Sequence, residues 1–175
     1  MSTLALHGGD KAKTKPFPTW PIYDETEREA LNEVLDSRVW WRTPGTQTLS
    51  FEQEFAAFHQ ARHGIAITNG THAIEVTMAA LGIGPGDEVI VPDSTFVATA
   101  SAVLFAGALP VLVDVEADTH NIDPELVEAA ITDRTKAIVA VHMGGSPAKL
   151  DHLIAIASKH GLPLVEDSAH AHGSE

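Results

Sequence analysis

The chemistry-bearing residues of this sequence gather at three junctions. The last is Val165-Glu166-Asp167-Ser168-Ala169-His170-Ala171-His172-Gly173, where the apolar run Leu162-Pro163-Leu164-Val165 feeds into two carboxylates and two histidines. That pattern marks the carboxyl end of a buried strand, the edge of an α/β sheet where ligands bind. A carboxylate held there is costly unless a cation meets it. A second junction, Ile67-Thr68-Asn69-Gly70-Thr71-His72-Ala73, runs from β-rich into helical sequence. Gly70 allows close backbone approach, and the amides that open the helix, with the Thr71 hydroxyl, suit an anion such as phosphate. Thr71 as a plain N-cap reads equally well from the same spacing. The third junction is Val91-Pro92-Asp93-Ser94-Thr95-Phe96. An aromatic ring just past a strand end can stack on a flat ligand. Taken alone, a core Phe at a helix start is the stronger reading.

Rival chemistries fare worse. A Ser-His-Asp triad built on Ser168 has no nucleophile elbow, and its members crowd on one turn. A metal site needs ligands of defined spacing, and Glu166 and Asp167 point to opposite faces of an extended strand. Together the three junctions describe one ligand: anionic at one end, flat in the middle, cationic at the other. Pyridoxal phosphate (PLP) fits. Its phosphate would sit on the Gly70-Thr71-His72 turn, its ring against Phe96 and its pyridine nitrogen on Asp167. A carboxylate beside that nitrogen favours the protonated ring, which is the electron sink that stabilises a carbanion.

The elements that must position these residues are legible as an alternation. β-rich runs at 63–68, 88–91, 110–114, 137–142 and 162–166 alternate with helical patterns at 71–82, 96–107, 124–132 and 149–160. Strands such as Glu88-Val89-Ile90-Val91 are apolar without strict alternation, as when both faces are covered. The expectation is a three-layer α/β/α fold around a mostly parallel sheet. Asp123-Pro124 starts a helix with a cap and a proline at its first position, and His160-Gly161 stops one. Gly82-Ile83-Gly84-Pro85-Gly86-Asp87 lies between a helix and a strand, the wrong edge for a phosphate cradle, and reads as a C-cap and turn. Upstream, residues 1–23 form a Pro-rich extended arm. Asp24 to Glu27 opens a helix over about 24–37, and a second helix from Thr48 places Phe51, Phe55 and Phe58 at core spacing. Trp40 and Trp41 cannot both face one core, and interface packing outweighs a substrate contact for them.

Composition bounds the rest. The 175 residues suffice for a domain with a core, and no apolar run approaches membrane-spanning length. There is no cysteine for a disulfide, thiolate metal site or nucleophile. A net charge of −13 without clustered Lys or Arg argues against a nucleic-acid groove. No signal-peptide pattern opens the chain, and a cytoplasmic location is expected.

In order and spacing these motifs are similar to the N-terminal half of the DegT/DnrJ/StrS family of PLP-dependent aminotransferases, of fold type I. The resemblance rests on Trp41 to Gly45, Thr68-Asn69-Gly70-Thr71-His72-Ala73, Gly82 through Pro92, Thr95-Phe96-Val97-Ala98, Asn121-Ile122-Asp123-Pro124, Val141-His142-Met143-Gly144-Gly145 and Glu166 through Gly173. It looks most like 3-amino-5-hydroxybenzoate synthases and the aminotransferases of keto-sugars and keto-cyclitols. The resemblance implies that Gly70, Thr71 and His72 hold the cofactor phosphate, that Phe96 stacks on the ring and that Asp167 pairs with the ring nitrogen. His170 stands where many members have Gln, near the ring hydroxyl, and His142 is a candidate lining residue. It further implies a Schiff-base lysine beyond Glu175. Lys136 and Lys149 do not match that position, so no catalytic residue is expected in this chain. Residues 24–175 are then an incomplete PLP-binding large domain, the small C-terminal domain is absent, and the chain alone is inactive. Partners implied are an amino donor such as glutamine or glutamate, a keto substrate and a second copy of the chain. An aromatising synthase and a non-catalytic regulatory protein are the alternatives.

Overall fold

The computed structural model describes residues 3–174. The chain divides into two compact units, Met1–Phe51 and Glu52–Glu175. In the first, one 3-10 turn at Ala5–His7 precedes a stretch without regular structure. Helix α1 (Glu25–Ser37) follows a full capping box: Asp24 accepts from the Thr26 amide at 2.8 Å, and Glu27 accepts from the Asp24 amide at 2.8 Å. This satisfies amides that a helix start leaves unpaired. The Trp40 indole donates to the Leu35 carbonyl at 3.3 Å, and both Trp40 and Trp41 stay largely exposed. Helix α2 (Gln47–Phe58) spans the boundary between the units.

The second unit holds the alternation. Helix α3 (Gly70–Ala80), strand β1 (Glu88–Pro92), α4 (Ala98–Phe105), β2 (Leu109–Val113), α5 (Pro124–Ala130), β3 (Thr135–Val141), α6 (Leu150–His160) and β4 (Leu164–Asp167) follow in order. The sheet runs β2-β1-β3-β4 with every pairing parallel. Side-chain alternation sorts its two faces. Val89, Val91, Ala137 and Val139 pack with Met78, Ala102 and Val103 of α3 and α4. Ile90, Ile138 and Ala140 pack with Val127, Leu153 and Ile156 of α5 and α6. Each fully buried Val or Ile contributes about 1.5–3 kcal/mol of transfer energy. The result is the α/β/α layering that the apolar strands predict. Asp123 caps α5 through the Glu125 amide at 2.8 Å, and Gly161 ends α6 at φ +66°. At the start of β1, Glu88 is buried and pairs with Arg134 and with the Thr132 hydroxyl. No helix among the described residues is long and apolar enough to cross a membrane.

Two sequence expectations fail here. The run 63–68 forms no strand. A strand exists only through its ladder, and this segment turns to α2 instead: the Ala66 amide donates to Glu52 Oε1 at 3.0 Å, leaving Ile65 exposed. Phe51, Phe55 and Phe58 are not core either, with 54%, 37% and 66% of their surfaces exposed. Phe55 lies 4.6 Å from the His59 ring and 5.5 Å from the His172 ring, and Phe58 lies 4.9 Å from His59. Helical spacing gathered Phe55 and Phe58 on one stripe, which meets the His59 and His172 rings instead of joining the core.

Candidate functional site

The carboxyl ends of β1, β3 and β4 meet the N-termini of α3 and α4 around a cavity of about 600 Å³. Gly70, Thr71, Phe96, Asp167 and His170 all line it. Three junctions far apart in sequence thus converge, as the crevice beyond parallel strand ends requires.

At one side stands the start of α3. Its N-cap is Asn69, not Thr71: Asn69 is extended and its Oδ1 accepts from the His72 amide at 3.0 Å. The Gly70 and Thr71 amides and the Thr71 hydroxyl have no partner among the described residues. A Cβ at Gly70 would meet nothing within 4 Å, so open space lies beside its Cα at the helix start. Two unpaired amides at the positive end of a helix attract an anion. His72 is placed outside the cavity. Its amide is committed to the cap, and its ring Nδ1 lies 2.7 Å from Thr68 Oγ1.

Phe96 is 73% exposed and lines the cavity, so it is no core residue at a helix start. Opposite, Asp167 ends β4, half-buried, with no basic side chain within 4 Å among the described residues. Its Oδ2 accepts from the Thr99 hydroxyl at 3.1 Å and its Oδ1 from the Ala169 amide at 3.3 Å. His170 lies beside it, its Nδ1 accepting from the Gly144 amide at 3.4 Å.

His142 does not line the cavity. Val141 and Met143 do, and alternation turns the residue between them to the other face. There His142 is buried, Nδ1 accepts from the Ala148 amide at 3.0 Å, and Nε2 therefore carries the proton it donates to Glu166 at 3.0 Å. Sequence reasoning overlooked three supports. Asn69 is the cap. Asn121, buried, donates to the Ser146 and Pro147 carbonyls and accepts from the Met143 amide, fixing the loop after β3. Thr99 is the third. The Thr95/Thr99 spacing of four, one helical turn, was its available signal.

The family model described as the DegT/DnrJ/EryC1/StrS aminotransferase family matches residues 21–175, and the chain belongs to that family. Among its relatives is 3-amino-5-hydroxybenzoate synthase of Amycolatopsis mediterranei (strain S699), 51% identical over 162 residues, covering 93% of this chain and 42% of that protein. L-glutamine:2-deoxy-scyllo-inosose aminotransferase of Streptomyces paromomycinus is 45% identical over 178 residues, covering 99% and 42% respectively. The crystal structure of NtdA from Bacillus subtilis, with bound cofactor PMP, superposes with a TM-score of 0.82 at 38% identity, covering 85% of this chain and 34% of that one. The chain thus spans 42% of the length of the two curated relatives named.

Proposed function

We propose that this chain supplies the PLP-binding part of an aminotransferase that moves an amino group from L-glutamine or L-glutamate to a keto-cyclitol or keto-sugar. The observation that carries the reading is the cavity itself. It sets a carboxylate without a cation, an exposed aromatic face and two unpaired helix amides around one space. Those groups supply the partners that the phosphate, ring and ring nitrogen of PLP call for, and open space at Gly70 is in keeping with a phosphate there. Bound there, PLP supplies an electron sink and carries the amino group between donor and acceptor.

The chain's own residues do the holding. Gly70 and Thr71 donate amides, and Thr71 a hydroxyl, to the phosphate. Phe96 covers one face of the ring and excludes water from it. Asp167 would accept a hydrogen bond from the protonated ring nitrogen and so keep that nitrogen charged. His170, held by the Gly144 amide, would lie beside the bound ring. His72 serves the helix start and not the phosphate directly. The reading includes a cytoplasmic homodimer, in keeping with the exposed Trp20, Trp40 and Trp41 of the first unit.

The 51% identity to a 3-amino-5-hydroxybenzoate synthase favours a second reading, an aromatising enzyme on the same site. The test is to supply the full-length protein that carries these residues with PLP, L-glutamine and 2-deoxy-scyllo-inosose. Formation of the aminocyclitol by mass spectrometry supports the first reading. Failure there, with 3-amino-5-hydroxybenzoate formed from an aminated cyclohexene acid, supports the second. No change in PLP absorbance on adding protein would sink both.

A further inference from the structure

Asp167 is gripped from a place that sequence gives no reason to associate with it. Thr99 is the second residue of α4, 68 positions earlier, and is fully buried. A threonine in a helix ordinarily returns its proton to the carbonyl four residues back. Thr77 in α3 does so, donating to Ala73 O at 2.8 Å. Thr99 does not. Its hydroxyl is 3.1 Å from Asp167 Oδ2 and 3.0 Å from the Thr95 hydroxyl. A carboxylate can only accept, and a hydroxyl has one proton. Thr99 therefore donates to Asp167, and Thr95 donates to Thr99. The same residue also holds the aromatic wall: the Thr99 amide donates to the Phe96 carbonyl at 3.1 Å.

We infer that Thr99 is the positioning residue of the site, fixing the Asp167 carboxylate and the Phe96 wall in one frame, with Thr95 completing the relay. The inference rests on the PLP-site reading above. With Oδ2 held by Thr99 and Oδ1 by the Ala169 amide, the carboxylate cannot turn about its last torsion. Terminal carboxylate torsions are otherwise broad. A fixed acceptor that meets a ring nitrogen head-on needs that restraint, because a misplaced site loses its function through small displacements. Thr99 acts through Asp167 and touches no ligand.

The experiment compares the parent protein with Thr99→Val, which keeps the shape and removes the hydroxyl, and Thr99→Ser, which keeps the hydroxyl. Two quantities are read: the PLP dissociation constant by absorbance titration, and the pH midpoint of the bound PLP absorbance. Thr99→Val is expected to weaken PLP about tenfold, the cost of one hydrogen bond to a charged group, and to move the pH midpoint. Thr99→Ser should stay within about twofold with the parent midpoint. In an Asp167→Asn background the effect of Thr99→Val should shrink to less than about threefold, as for residues that act in series. Should Thr99→Val fail to fold, Thr99→Ala carries the same comparison. A parent that does not bind PLP overturns both the reading and the inference. A parent that binds, with Thr99→Val equal to it in affinity and midpoint, overturns the inference alone. So does a Thr99→Ser protein as impaired as Thr99→Val, or an undiminished effect beside Asp167→Asn.

Discussion

Glu88 and Asp167 are both carboxylates at the ends of strands in one sheet, and their surroundings differ in kind. Glu88 opens β1 at the amino edge, where Arg134 neutralises it and the Thr132 hydroxyl donates to it from within the chain. The Thr132 hydrogen bond, then Arg134, hold its carboxyl below the usual carboxylate range. Asp167 ends β4 at the carboxyl edge, and only neutral donors meet it among the described residues. The first is a finished ion pair that locks a strand start. On the proposed reading the second is half of a pair, whose cation a ligand would supply.

The comparison breaks most visibly at Asp167. Asp167→Asn should leave the Tm near the parent's and PLP bound, yet lower amino transfer on the order of a thousandfold, as when a site loses the charge that stabilises its transition state. Steady-state turnover and PLP absorbance of the full-length protein carrying the substitution together check this, and parental turnover would remove Asp167 from its role. Asn121→Ala comes next. It leaves the Met143 amide and two carbonyls without their buried partner, for a loss of about 2–3 kcal/mol in denaturant unfolding.

Glu88→Gln tests the closed end. Its folded value lies below its unfolded one, so its stabilisation is complete above the unfolded value and fades as pH falls through the folded one. The parent should melt about 3–5 °C above Glu88→Gln at neutral pH, and the gap should close on acidification. PLP affinity should not change. A gap independent of pH would show that shape and not charge matters there. The smallest effect is expected at Glu166→Gln, within about 0.5 kcal/mol of the parent, because the half-exposed amide still accepts from His142. Urea midpoints will separate it from Asn121→Ala.

Much of this was legible. The apolar runs of β1 and β3, the Asp24 and Asp123 caps and the Gly161 stop follow from local chemistry, and the three junctions do converge. What escaped depends on long-range partners. The run 63–68 has strand composition, but pairing is not encoded locally. Phe55 and Phe58 show a core-like stripe whose partners, His59 and His172, lie on the same helix end and on a distant turn. Thr71 and Asn69 are both good cappers, and only backbone geometry chose Asn69. The Thr99 contact spans 68 residues and left no trace beyond the Thr95 spacing.

Adjacent Glu166 and Asp167 are chemically near twins, and the pleat assigns their jobs by parity. Odd-numbered positions, Val139, Val141, Val165 and Asp167, face α3, α4 and the cavity. Even-numbered ones, His142, Leu164 and Glu166, face the other layer. A single inserted or deleted residue within β4 would exchange the two carboxylates, sending a longer side chain toward Thr99 and a shorter one toward His142. The length of this four-residue strand, counted to the residue, is therefore itself a heritable constraint on the site, separate from which amino acids it contains.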